Sequence, residues 1–153
     1  MTLTPEQRRF IEGRRIGHLA TADAAGVPQV VPVGFALSAD AASLYIGIDE
    51  KPKAGPATRL KRLRNIAANP AVAIVFDHYE EDWRHLGWVM LRGRAGILEA
   101  DAAADAAEHA DARRLLLARY PQYAAMALDR LPVIAIRIAT VRAWGQLEKD
   151  HPP

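Results

Sequence analysis

Between Lys51 and Arg64 the chain gathers six cations, Lys51, Lys53, Arg59, Lys61, Arg62 and Arg64, with Glu50 as the one acid beside them. Cationic donors at that density suit the binding of an anion, a phosphate above all, because guanidinium and ammonium N–H groups match its oxygens. The local pattern points the same way. A strand over residues 43–49 runs into a Lys51-Pro52-Lys53 loop, and a basic helix opens near Thr58. It stops at Asn69-Pro70, since the residue before a proline is pushed out of the α region. A strand that delivers the chain to a helix start adds exposed amide N–H groups and the positive end of the helix dipole. The plainer alternative is a solvated cationic face, which Lys and Arg form on many helices. The residues alone leave both readings open.

Other groups could do chemistry elsewhere. His78 and His85 lie seven positions apart in a polar and aromatic stretch, residues 77–87. With no third ligand in sight they make a poor metal site, and none is expected. His78 is a candidate proton donor, and Tyr79 a lesser one. His18, on a strand, reads as a packed polar residue. Trp83, Trp88 and Trp144 could stack on a flat cofactor or fill an interface between chains. Dinucleotide, P-loop, zinc-protease and nucleophile-elbow motifs are absent, and Ser38 and Ser43 are the only serines. Hydrolase chemistry is therefore not expected.

These groups must be positioned by one domain over residues 1–149, with a frayed tail at 150–153. A chain of 153 residues suits a single core. No apolar run approaches the roughly 18–20 residues that span a bilayer, and MTLTPEQRRF lacks the apolar segment of a signal peptide. There is no cysteine. A cytoplasmic protein without membrane attachment is the expectation. Net charge is only +2, with acids gathered at residues 80–82 and 99–108, so a local anion site fits better than a nucleic-acid surface.

The punctuation of the chain predicts the elements. Thr4-Pro5-Glu6-Gln7 is a capped helix start, and Gly13 ends that helix. Residues 16–22 form a strand with Ile16, His18 and Ala20 on one face. Asp23-Ala24-Ala25-Gly26 turns the chain. Residues 29–37 form a second strand, on an edge or bulged because Pro32 cannot donate to a ladder. Leu60, Leu63 and Ala67 give the basic helix a buried stripe. Residues 71–76 make a central strand and residues 88–99 a long one, in which Gly93 and Gly96 suggest bulges. Asp101 caps an Ala-rich helix to about Ala118, a short helical piece follows to about Asp129, and residues 132–148 supply the last strand. The fold class expected is mainly β with peripheral α: a six-stranded antiparallel split β-barrel with short helices.

On these residues the chain resembles the pyridoxamine-phosphate-oxidase-like split-barrel flavoproteins. The resemblance is carried by Ile16-Gly17-His18-Leu19-Ala20-Thr21, Gly26-Val27-Pro28-Gln29-Val30-Val31-Pro32-Val33 and Leu44-Tyr45-Ile46-Gly47-Ile48-Asp49. Lys51-Pro52-Lys53, the run from Leu63 to Pro70, Val72-Ala73-Ile74-Val75 and Gly93-Arg94-Ala95 continue it in order. The Lys-Pro-Lys loop and the Asp77-His78-Tyr79…Asp82-Trp83 segment make it most similar to the branch that uses the deazaflavin coenzyme F420, found chiefly in actinobacteria. The resemblance implies an FMN-binding type of split barrel, a homodimer, and a cofactor groove at the dimer interface. It implies that Lys51, Lys53, Arg59, Lys61 and Arg62 hold the phosphate or polyanion, and that Val31, Pro32 and Val33 contact the ring. His78, Trp83 and Trp88 would reach the groove from the partner chain. The implied activity is hydride transfer between reduced F420 and a small conjugated organic substrate. FMN is the alternative cofactor, and a non-catalytic carrier of flavin or haem on the same barrel is the alternative role. Gln29 and Gly34 stand where the pyridoxamine-phosphate oxidases themselves carry basic residues, which argues against pyridoxamine phosphate as substrate.

Overall fold

The computed structural model of the protein describes residues 2–48 and 60–148. In chain order the elements are α1 (Pro5–Glu12), β1 (Gly17–Ala22), β2 (Pro28–Val33), β3 (Ala36–Leu37), β4 (Ser43–Ile46), α2 (Lys61–Ala68), β5 (Ala71–His78), β6 (Gly87–Leu98), α3 (Ala106–Arg119) and β7 (Val133–Gly145). Single 3-10 turns occupy Trp83–His85 and Pro121–Ala125. No helix among the described residues is long and apolar enough to cross a membrane.

The strands form one antiparallel, curled sheet in the order β2-β1-β5-β6-β7-β4-β3. Its two outermost strands are neighbours in the chain, separated only by Gly34 and Phe35. One bent segment therefore supplies both edges and draws the sheet round, an arrangement consistent with a split barrel. The sequence predicts a single strand over residues 29–37 and six strands in all; the bend divides that strand and makes seven. Its cause is tertiary. The Tyr120 hydroxyl accepts from the Phe35 amide at 3.1 Å and donates to the Arg15 carbonyl at 2.9 Å. The Arg119 guanidinium lies 4.7 Å from the Phe35 ring centre. Phe35 N–H is satisfied by a side chain from the end of α3, so it is released from the ladder.

Strand alternation divides the sheet into two faces. Gly17, Leu19 and Thr21 of β1 turn inward with Phe35, Leu44, Ile46, Ile74, Phe76, Leu91 and Ile136 to form the main core. On the other face His18, Val30, Pro32, Val75, Met90, Trp88, Arg142 and Trp144 remain partly or wholly exposed. β5 pairs with both β1 and β6 and is central, as its apolar run predicts. β2 pairs with β1, an edge position that suits Pro32. Gly26 takes a φ of 84° in the first hairpin turn.

Helix boundaries follow capping chemistry. Thr4 and Gln7 exchange both hydrogen bonds of a capping box at 3.0 and 3.1 Å, as the sequence predicts. α2 begins at Lys61 after a non-helical Leu60, later than the opening expected near Thr58. α3 begins after Asp105, not Asp101. The Asp105 carboxylate accepts from the Glu99 amide at 3.0 Å and closes a turn that holds Asp101 outside the helix. The β6–β7 ladder slips between Arg92 and Gly93, where Ala139 has no partner. At Gly96, the other expected bulge, the pairing is regular, with Ala135 opposite.

α3 docks on the sheet through a charged clasp. The buried Tyr45 hydroxyl donates to Glu108 at 2.8 Å. Arg137 grips the same carboxylate with both terminal nitrogens and donates to Ser43 Oγ at 3.0 Å. Burial first, and the Glu108 acceptor second, push the Tyr45 phenol up to about 12. The proton is held more tightly folded than unfolded, so the associated stability is complete below the ordinary tyrosine value of about 10 and drains away as pH climbs from there through the folded value. Thermal melts are expected to show wild type more stable than Tyr45→Phe at neutral pH, with the gap closing between roughly pH 10 and 12. A constant gap across that range is the contrary result.

Candidate functional site

β2 carries Pro28, Val30 and Pro32 toward solvent and Gln29, Val31 and Val33 toward the interior. Where β2 approaches α2, a cavity of about 350 Å³ opens between them. Val31, Pro32 and Val33 form its β2 wall, Ile16 and Gly34 flank them, Gly47 and Tyr123 close the rear, and Arg62 enters from α2. The two glycines make room for the tyrosines. A Cβ on Gly47 would lie 3.2 Å from the Tyr123 hydroxyl, and one on Gly34 would lie 3.2 Å from the Tyr120 ring. Three of the expected ring contacts and one of the expected phosphate ligands thus line the same space. Tyr123, Gly47 and Ile16 are functional candidates that sequence reasoning missed. For Tyr123 the usable signal was the Tyr120-Pro121 helix stop, which turns the chain back toward the sheet.

Arg62 is turned into the cavity by the way α2 is fastened. Leu63 and Ile66 bury its apolar stripe. The Asn65 amide nitrogen, buried, donates to Thr21 Oγ1 on β1 at 3.0 Å. Lys61 Nζ lies 3.8 Å from Asp23 at the β1–β2 turn. The Asp23 carboxyl sits below its usual range, chiefly because the Val27 amide donates to it. Lys61, expected to hold phosphate, therefore has an acidic partner of its own. Among the described residues Arg62 has none, and its buried Nε has no hydrogen-bond partner there. Gln29 Oε1, from the inward face of β2, is likewise buried and unpartnered. An orphaned buried donor costs about 1–3 kcal/mol, more when charged, so an incoming anion that satisfies Arg62 recovers that loss. Lys51, Lys53 and Arg59 lie outside the described residues.

A second hollow, of about 330 Å³, shares Ile16 and Pro32 with the first and adds Arg14, Arg15, His18 and Asp77. The two form a groove across the β2 edge. His18, expected to be packed away, is half exposed there, with Nε2 3.7 Å from an Asp77 carboxylate oxygen. The alternation of β1 decides this, because residues flanking the inward Leu19 must face out.

The remaining candidates lie elsewhere on the protomer. His78, at the end of β5, is nearly enclosed; its Nδ1 faces Arg14 Nη1 at 3.2 Å and its Nε2 faces Glu80 at 2.9 Å. Trp83 is 70 % exposed on its 3-10 turn. Trp88 stands on the open face of β6, paired across the ladder with Trp144. None of the three lines the Arg62 cavity of its own chain.

Comparison with known proteins agrees with this architecture. The family model described as pyridoxamine 5'-phosphate oxidase matches residues 3–145. No curated protein matches the sequence. Among solved structures, a conserved hypothetical protein from Mycobacterium tuberculosis superposes with a TM-score of 0.70 at 16 % identity, covering 95 % of this chain and 86 % of that one. The heme storage protein HutZ from Vibrio cholerae gives 0.68 at 20 % identity, over 97 % and 100 % of the two chains. A FAD-binding protein from Mesorhizobium loti gives 0.66 at 24 %, over 94 % and 95 %. At these identities the likeness is one of fold.

Proposed function

Because this chain belongs to the pyridoxamine 5'-phosphate oxidase family, we propose that it is an oxidoreductase that holds a phosphate-bearing flavin or deazaflavin in the groove between β2 and α2. The observation that carries this reading is the pairing, in one cavity, of an apolar β2 wall with Arg62, whose Nε has no partner among the described residues. Arg62 would take the phosphate, and Lys51, Lys53, Arg59 and Lys61 are the further phosphate candidates. Val31, Pro32 and Val33 would support one face of the ring and keep water from it. The cofactor, when bound, supplies the hydride chemistry; the chain supplies position, orientation and a dry wall. F420 is the cofactor that the sequence pattern favours, with FMN the alternative and a small conjugated organic molecule the substrate.

Homodimerisation belongs to the same proposal. The open face of the sheet exposes Val30 at 63 % and Trp144 at 54 %, beside Trp88 and Met90. Apolar area of that kind is characteristic of a covered interface. His78, Trp83 and Trp88 would meet the groove only from a partner chain.

The test is titration of the purified protein with F420 and with FMN, read by ring fluorescence or absorbance, followed by turnover of the reduced complex with a panel of conjugated acceptors. Micromolar or tighter binding of one cofactor is expected, with oxidation of its reduced form by at least one acceptor. Failure of both to bind defeats the proposal. A second reading, suggested by the likeness to HutZ, is a carrier of flavin or haem; tight binding without turnover would mark it.

A further inference from the structure

The connection between β5 and β6 brings together side chains that the cofactor groove does not use. His85 Nδ1 is hydrogen-bonded to Glu80 Oε1, and Asp82 Oδ2 lies 3.9 Å from the same nitrogen. One ligand atom from each of Glu80, Asp82 and His85 falls within 4.8 Å of the others. The sequence, which offers two histidines seven positions apart, gives no sign of this. The 3-10 turn Trp83–His85 is what folds His85 back over Glu80.

The neighbours of this triad orient it. An arginine can only donate, so Arg14 Nη1, at 3.2 Å, makes His78 Nδ1 an acceptor. The proton of neutral His78 is thereby fixed on Nε2, which donates to Glu80 Oε2 at 2.9 Å. That bond immobilises the carboxylate and leaves Oε1 toward His85. Asp82 is steadied in turn by Arg84, whose Nε and Nη2 donate at 2.9 and 2.7 Å. A histidine that fixes a ligating carboxylate is the outer-shell arrangement common around protein-bound metals.

We propose that Glu80, Asp82 and His85 bind a divalent transition cation of the zinc or cobalt class, with His78 as the positioning residue behind Glu80. One imidazole with two carboxylates favours such ions over calcium or magnesium, which take oxygen ligands. Three protein ligands leave a coordination position for water. Rotation of Glu80 Oε1 away from His85 Nδ1, with the proton passing to His85 Nε2, lets the metal replace the hydrogen bond between them. The ion would staple the 3-10 turn that carries exposed Trp83 to the end of β5. None of the three ligands lines the Arg62 cavity.

Titration of the tag-free, chelator-stripped chain with Co2+, followed by visible absorption and by competition with Zn2+, tests this. About one equivalent is expected to bind per chain. Affinity should fall at least tenfold in Glu80→Gln/His85→Ala. His78→Ala should weaken binding by about tenfold and shift the cobalt bands, and His78→Gln, which can still donate to Glu80, should restore both. No binding by the wild-type chain, or equal binding by the double variant, overturns the site. If the double variant does not fold by circular dichroism, X-ray absorption of the metal-loaded wild-type chain decides. One imidazole with carboxylate oxygens at about 2.0–2.2 Å supports it, whereas two or more imidazoles would place the metal elsewhere.

Discussion

Replacement of Arg62 by Ala is expected to weaken FMN or F420 binding by at least tenfold while leaving the melting temperature almost unchanged. The two halves of this expectation have one cause. Arg62 Nε makes no hydrogen bond among the described residues, so little of the described structure depends on it. A charge-assisted hydrogen bond to phosphate contributes about 1.5–3 kcal/mol, which corresponds to roughly 10–150-fold in affinity. Riboflavin, which lacks the phosphate, is the necessary control: its binding should change little. Arg62→Lys should fall between the wild type and Ala, because a lysine keeps the charge but loses the planar fork. Equal weakening of FMN and riboflavin would show that Arg62 shapes the cavity and does not hold phosphate.

Gly93→Ala is expected to be strongly damaging to the sheet. A Cβ at this position would lie 2.0 Å from the Arg137 carbonyl oxygen and 2.9 Å from its carbon. Both are backbone atoms of the paired strand, so no side-chain rotation can relieve the clash, and the β6–β7 ladder must open at its bulge. Overpacking of that kind costs about 3 kcal/mol or more, a fall in melting temperature of roughly 6–12 °C for a chain of this size. Gly96 lies three residues further along the same strand, and a Cβ there meets nothing within 4 Å. Gly96→Ala should be neutral or slightly stabilising, through the less flexible unfolded chain. Thermal unfolding of the two variants side by side checks the pair, and similar losses would contradict the described bulge.

The contrast between these glycines shows where sequence patterns carry information and where they stop. Both read as bulges, because a glycine in a strand marks either a bulge or a close approach of another backbone. Only the second strand of the ladder tells which. Similar limits apply to the bend at Gly34-Phe35. Val30-Val31-Pro32-Val33 and Phe35-Ala36-Leu37 look like one continuous strand, and the hydroxyl that breaks it belongs to Tyr120, 85 residues away. The first helix was legible to its cap, since Thr4 and Gln7 are three residues apart and cap each other. Asp101 reads as the cap of α3 by type, yet the helix begins after Asp105, whose carboxylate is engaged by the Glu99 amide.

By itself the sequence determined the local and periodic features of this protein. These include the capped first helix, the β1–β2 hairpin, the central apolar β5, the cationic stretch before and within α2, and the family pattern in their order. Such features depend on propensities and spacings within a few residues, which sequence carries directly. Tertiary structure decided which cation is available and what surrounds it. Lys61 and Arg62 are adjacent and chemically alike, yet Lys61 lies beside Asp23 while Arg62 lines a cavity and its Nε has no partner among the described residues. The same holds for Glu80, Asp82 and His85, which become a triad only once a 3-10 turn folds one over another. Charge and ligand type are properties of a residue, but availability is a property of its neighbours, and those neighbours are assembled by the fold.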